Sequence, residues 1–212
     1  MSLDIPPGIR AVLFDVYGTL LDGPRHSDRG PRMAEVARRF GLRHDFDLAA
    51  AFDEAVAASH RASDDPFPEI DVREIWSSIF PDLGDPGSLA LEMEEAVHPV
   101  DRLAEGTRLL ARAAGLGLHL GIVSNAQTYT RQLMARHFPE CWPRFRGDLL
   151  AFSYEHRISK PDPRLFQCAT APLFDEGILP REILMIGDSL ENDIVPARAL
   201  GLRALHLPGP TA

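Results

Sequence analysis

Four short stretches of this chain carry residue types that can do chemistry together. Asp15 closes the apolar run "AVLF" and is followed by Tyr17, Gly18 and Thr19 in "DVYGT". Ser124 and Asn125 end "GIVSN", Ser159 and Lys160 stand in "SKPDP", and Asp188, Ser189 and Asp193 fall in "GDSLEND". A carboxylate can attack phosphorus or carbon and form a covalent intermediate, an acyl phosphate in the first case and an ester in the second. A phosphoryl group is itself anionic, so that attack needs a cation beside it. Two or three oxygens from carboxylates and carbonyls, completed by waters, suit Mg²⁺. Asp15 and Asp188 offer side-chain oxygens for one, and Lys160 offers a point charge to phosphate. Thr19, Ser124 and main-chain N–H groups at the turns offer donors to the remaining phosphoryl oxygens. Each residue also has an ordinary use. Ser124-Asn125 and Asp188-Ser189 read as helix N-caps, Asp193 as a partner of a helix dipole, and Lys160 before Pro161 as a surface cation. Only their coincidence points to a site.

Residues so far apart in the chain need a fold that gathers them. Apolar runs at Ala11 ("AVLF"), Leu118 ("LHLGIV"), Leu149 ("LLAFS"), Ile183 ("ILMIG") and Arg203 ("RALHL") have the length and weak alternation of strands buried on both faces. Helical patterns alternate with the later ones: "EGTRLLARAAG", "TYTRQLMARHF", "DPRLFQCATAPLF" and "LENDIVPARALG". This rhythm predicts βαβ units and a parallel sheet, in which ligands sit outside the carboxyl ends of the strands. From about Asp22 to Pro99 the rhythm stops. Four helical patterns, "RMAEVARRFG", "DLAAAFDEAVAASHRA", "DVREIWSSIF" and "GSLALEMEEAV", follow one another with no convincing strand. Asp71 and Glu74 resemble a capping box for the third. Trp76 and Phe80, at helical spacing, read as core of this segment.

The four groups of motifs, in order, resemble the haloacid dehalogenase superfamily, whose signature is four short motifs at strand ends. "FDVYGTLLD", "GIVSN", "SKPDP" and "IGDSLENDI" match it from about Ala11 to Leu207. The resemblance implies an α/β fold: a Rossmann-like parallel-sheet core domain with an inserted all-helical cap domain. The core would comprise residues 1–21 and 100–212, and the cap residues 22–99, with hinges near Pro24 and Pro99. It also implies roles. Asp15 is the nucleophile, and the Tyr17 main-chain carbonyl and Asp188 join Asp15 around Mg²⁺. Thr19, Ser124 and Asn125 bind the transferring group, Lys160 neutralises phosphate and nucleophile, and Asp193 orients Lys160 or holds a metal-bound water.

Tyr17 departs from the phosphatases of this superfamily, which carry there an aspartate that protonates the leaving group. Such general acids contribute roughly 10²–10⁴-fold. The dehalogenases have D-x-Y-G-T, because a halide leaves without a proton. Other motifs side with the phosphatases. The dehalogenases need no metal, are less acidic at the position of Asp188 and have a tyrosine where this chain has Phe166. Arg32, Arg38 and Arg39 lack the context of their cap arginine. Clustered carboxylates with no metal to hold would also be a costly like-charge arrangement. Three accounts of Tyr17 stand: its phenol is a weak acid; a cap residue such as His60, Asp64, Asp65 or Glu69 supplies the proton; or the substrate is an acyl or aryl phosphate that needs none.

The bulk numbers suit this reading. The chain has 212 residues, 45% of them hydrophobic, and a formal net charge of −9, which disfavours nucleic acid and anionic membrane surfaces as partners. Isolated Cys141 and Cys168, with no apolar leader, predict reduced thiols in a cytoplasmic protein. The expectation is therefore a Mg²⁺-dependent phosphatase of a small phosphorylated metabolite, working through an aspartyl-phosphate. Its rivals are an L-2-haloacid dehalogenase, acting on a haloacid through an aspartyl ester without metal, and a catalytically weak phospho-ligand binding protein. Oligomeric state is not legible.

Overall fold

The structure is a computed structural model that describes residues 4–209. Its centre is a five-stranded parallel sheet of β1 (Ala11–Phe14), β4 (His119–Ser124), β5 (Phe145–Phe152), β6 (Ile183–Gly187) and β7 (Arg203–His206), in the order β5-β4-β1-β6-β7. Two further strands, β2 (Leu21–Asp22) and β3 (Asp101–Arg102), form a small antiparallel ribbon. The central strands are buried along nearly their whole length because both faces are covered. Val12 and Phe14 enter one apolar cluster with Leu109, Ile122 and Leu133, whereas Ala11 and Leu13 enter the other with Phe166, Ala169 and Met185. This is the two-residue period of a strand read on two faces at once. The edge strands are less covered and carry exposed residues.

Helices α5 (Ala104–Gly115), α6 (Thr130–His137), α7 (Ser153–His156), α8 (Pro163–Asp175) and α9 (Val195–Ala199) connect the strands of the sheet. β5 begins at Phe145, four residues ahead of the apolar run seen in the sequence. The pattern "LENDIVPARALG" is not one helix. Residues Leu190–Ile194 form a wide π turn that passes into the short α9. Its cause is local: Ser189 Oγ accepts from Asn192 N–H at 3.0 Å, and Ile194 N–H reaches back five residues to the Ser189 carbonyl at 3.2 Å. The wider turn points Asp193 inward, fully buried, while Leu190 and Val195 face solvent.

Between β2 and β3 lie α1 (Arg29–Arg39), α2 (Leu48–Arg61), α3 (Val72–Ile79) and α4 (Pro86–Val97). Asp47, Asp71 and Asp85 accept hydrogen bonds from first-turn N–H groups of α2, α3 and α4. The capping box expected at α3 is only half built. Asp71 caps Arg73 N–H, but the Glu74 side chain turns away to Arg157. Trp76 and Phe80 are buried and stack on each other, as expected of a helical core. The segment is not wholly free of strand pairing, since Asp22 lies in β2 and Pro68 bridges Ile158. The fold is thus an α/β core with an inserted helical cap. No helix among the described residues is long and apolar enough to cross a membrane.

Candidate active site

The strand order reverses at β1, which has β4 on one side and β6 on the other. Loops diverge there and leave a crevice at the carboxyl ends of the strands. Register fixes what lines it. Phe14 stands opposite both Ile122 and Ile186, so Asp15 emerges beside the ends of β4 and β6. Asp15 N–H donates to the Ile186 carbonyl at 2.9 Å, which ties the carboxylate's backbone to the ladder.

Around it the predicted residues converge. Lys160 Nζ donates to Asp15 Oδ1 and to Asp193 Oδ1, each at 2.6 Å, and all three side chains are buried. Lys160 is the only lysine in the 212 residues. A compact ammonium fits between two carboxylates where a planar guanidinium would not. Burial alone would depress its pKa, yet Asp15 and Asp193 hold it above its ordinary value. Asn125 sets the lysine's backbone: its Oδ1 accepts from Lys160 N–H at 2.7 Å and its Nδ2 donates to the Lys160 carbonyl at 3.2 Å. Both ends of the amide, expected to meet substrate, are therefore turned on Lys160. Asp193 Oδ2 accepts from Ser189 N–H at 2.9 Å. Thr19, fully buried, brings Oγ1 to 3.5 Å from Asp15 Oδ2. Ser124 Oγ is buried with no hydrogen-bond partner. That is costly unless a ligand oxygen meets it.

Asp188 completes the cluster. One oxygen each from Asp15, Asp188 and Asp193 lie within 4.8 Å of one another. Burial, and then the charges of Asp15 and Asp193, push the Asp188 carboxyl up to about 6. Two glycines make room. A Cβ on Gly18, whose φ is +80°, would lie 2.4 Å from Asp188 Oδ2, and one on Gly187 would lie 2.3 Å from the Asp193 carboxylate. An all-oxygen set with surplus negative charge fits Mg²⁺.

Tyr17 turns its side chain away from this cluster. Its hydroxyl lies 2.9 Å from Thr130 Oγ1, and its ring lies against His98 with centroids 6.2 Å apart. Burial raises its pKa above the ordinary phenol value, against a smaller opposing effect of Thr130. Of the four cap acids considered, His60 and Asp64 are exposed and Asp65 pairs with Arg164 at 2.6 Å. Glu69 alone reaches the cavity beside the site. Its oxygens already accept from Ser153 Oγ at 2.7 Å, Ile70 N–H at 2.8 Å and Gln127 Nε2 at 3.2 Å. Arg32, Arg38 and Arg39 pair with Asp28, Glu35 and Glu92.

Two adjoining cavities extend from the site under the helical insert. One, of about 280 Å³, is lined by Tyr17, Asn125, Gln127 and Glu69 among others, and the next, of about 300 Å³, reaches into the insert. They share Arg25, Glu94, His98 and Tyr129. None of these four belongs to a motif. Their only sequence signal is that Arg25 and His98 flank the two hinge prolines.

A family profile described as haloacid dehalogenase-like hydrolase matches residues 9–201. A phosphoserine phosphatase of Thermus thermophilus is 33% identical over 107 residues, 48% of this chain and 38% of that protein. The chain thus spans well under half the length of that curated relative. A family enzyme of Bacteroides thetaiotaomicron, solved with magnesium and inorganic phosphate, superposes with TM-score 0.62 at 17% identity, covering 96% of each chain. A defluorinating L-2-haloacid dehalogenase, Rha0230, gives TM-score 0.57 at 24% identity, covering 96% of this chain and 84% of that one. At these identities the two structures speak to the fold and not to the reaction.

Proposed function

Because the chain belongs to the haloacid dehalogenase-like hydrolases, we propose that it is a Mg²⁺-dependent phosphatase of a small phosphate ester, working through an aspartyl-phosphate on Asp15. The observation that carries this reading is the charge of the strand-end cluster. Three carboxylates meet one ammonium, which leaves a surplus of two negative charges in a largely buried site. A divalent cation offsets that surplus, and the Asp188 carboxyl, displaced upward by burial and then by the charges of Asp15 and Asp193, marks where it is felt. Asp15, Asp188 and the Tyr17 main-chain carbonyl would hold the cation. When bound, it would neutralise the charge that phosphate brings to a carboxylate nucleophile.

The chain's own residues do the rest. Lys160, fixed by Asn125 and Asp193, lessens the repulsion between Asp15 and an approaching phosphate. Ser124 and Thr19 donate to phosphoryl oxygens. Asp15 attacks phosphorus, the bond to the leaving oxygen breaks, and the leaving group departs with the electron pair. Water then attacks the phosphorus, releases inorganic phosphate and restores Asp15. The Tyr17 phenol, committed to Thr130 and raised by burial, holds its proton. The site therefore suits leaving groups that depart without one, such as aryl or acyl phosphates. Residues 22–99 act as the cap that covers residues 1–21 and 100–212 and excludes water from the reaction.

Tyr17 favours a second reading, an L-2-haloacid dehalogenase in which Asp15 attacks carbon and a halide leaves. Phosphate release from p-nitrophenyl phosphate separates the two. Mg²⁺-dependent release that Asp15→Asn abolishes is expected. No release with or without Mg²⁺, together with chelator-resistant chloride release from 2-chloropropionate, would replace the phosphatase by the dehalogenase. Equal turnover of aryl and alkyl phosphates would overturn the assignment of leaving group.

A further inference from the structure

We propose that the paired cavities beneath the helical insert bind the leaving group, and that they select one with an apolar body of about one ring and a carboxylate held by Arg25. The inference takes from the phosphatase reading only which end of the ligand is transferred.

The body follows from the walls. The inner cavity is lined by Met33, Phe52, Val72, Trp76, Met93 and Val97. Its volume of about 300 Å³ lies at the small end of the range for small-molecule pockets, which suits a single ring. The outer cavity begins at Tyr17 and Asn125, next in sequence to the site, and meets the inner one at Arg25, Glu94, His98 and Tyr129. A ligand with its phosphate at Asp15 therefore extends past these four residues.

The carboxylate follows from which wall groups already have partners. Glu94 is paired with His98 Nδ1 at 3.1 Å, and His98 Nε2 lies 3.4 Å from Asp22. Glu69 accepts three hydrogen bonds, from Ser153, Ile70 and Gln127. Arg29 donates to Asp53 and to the Ala49 carbonyl. The acids of the walls are thus engaged by the protein. Arg25 is different. It is exposed at the junction of the two cavities and makes no hydrogen bond or ion pair among the described residues. It lies near enough to His98 and Tyr17 to act on both electrostatically. A second donor lacks a partner as well: Trp76 Nε1, buried in the wall of the inner cavity. With the wall carboxylates Glu69 and Glu94 matched and the Arg25 guanidinium unmatched, the cavity calls for a ligand that brings an acceptor, and a guanidinium fork is shaped for a carboxylate.

Calorimetry with the Mg²⁺-loaded full chain tests this with two non-hydrolysable ligands of equal size, 4-(phosphonomethyl)benzoate and its carboxamide. The benzoate is expected to bind about 10- to 100-fold more tightly, the range of a charge-assisted pair. Arg25→Gln is expected to bring the two within about twofold, and Arg25→Lys to restore part of the difference. Equal binding by the wild type, a preference that survives Arg25→Gln, or binding of neither ligand would overturn the proposal. Turnover of 4-carboxyphenyl phosphate and its carboxamide separates the two readings. A carboxylate preference in binding with no phosphate released from either ester removes the phosphatase and leaves the cavity assignment. Release from both at equal kcat/KM does the reverse.

Discussion

The strand-end cluster and the cavity under the insert are neighbours built in opposite ways. The cluster draws Asp15, Lys160, Asp188 and Asp193 from three turns, closes Lys160 to 2.6 Å from Asp15 and Asp193, and brings oxygens of the three carboxylates within 4.8 Å in a largely buried, charge-rich space. Its positions are set by the sheet, through a ladder that fixes where each strand ends. The cavity draws Arg25, Trp76, Glu94 and His98 from an extended hinge, two helices and a helix end, and it retains unpartnered donors. Chemistry on a reacting atom needs positions held to about half an ångström. Holding an apolar body needs only volume and the right sign of charge. The chain thus puts its reaction on backbone geometry and its selection on side-chain surfaces.

That division predicts where substitutions act. Lys160→Met should have the largest effect. It should lower kcat/KM by at least about 10³-fold and destabilise the chain by about 3–5 kcal/mol, because it leaves Asp15 and Asp193 buried without their partner. Turnover within tenfold of wild type would dissolve the distinction. Gly187→Ala comes next. Its Cβ would meet the Asp193 carboxylate, so kcat should fall about 100-fold with KM little changed, at a stability cost of about 1–3 kcal/mol. A change confined to KM would contradict the placement of Asp193 in the cluster. In the insert, Asp71→Ala removes the cap of α3 and should cost about 0.5–2 kcal/mol in a denaturant titration, with kcat retained.

The smallest effect concerns His98, which joins the two regions between Glu94 and Asp22. The hydrogen bond to Glu94 raises its pKa, with Asp22 adding to it and with burial and Arg25 opposing. A raised pKa means that the folded state holds the proton more tightly than the unfolded chain. Its stabilisation is complete below the unfolded value of about 6.5 and fades as pH rises through the folded value. The Tm advantage of wild type over His98→Gln should therefore be larger near about pH 6 than near about pH 9. Thermal melts with the opposite trend would refute the ion pairs as drawn.

Much of the site was legible because its residues sit in short local patterns. Asp15 to Thr19 is one strand end and one turn, and Asp188 to Asp193 is another. Lys160 could have been found by composition alone, as the one lysine of the chain. The less legible parts depend on distant partners. Asn125 reads as a substrate ligand, but Lys160, 35 residues on, claims its amide. The pattern after Asp188 reads as a plain helix, because a π turn depends on where the Asp193 side chain must go. Tyr17 reads as an open question about acid catalysis, and the hydroxyl of Thr130, 113 residues away, engages its phenol.

The sequence by itself determined the α/β class, the helical insert and the four groups of reactive residues. Strand periodicity, helix caps and strand-end turns are short-range consequences of backbone sterics and side-chain chemistry. Only the tertiary structure decided which donors remain unpartnered. Arg25 is one arginine among many in the sequence, and Trp76 one core residue among many. Whether a charge or an N–H finds a partner depends on helices packed from remote segments. The surface that selects a ligand is what that packing leaves unmatched.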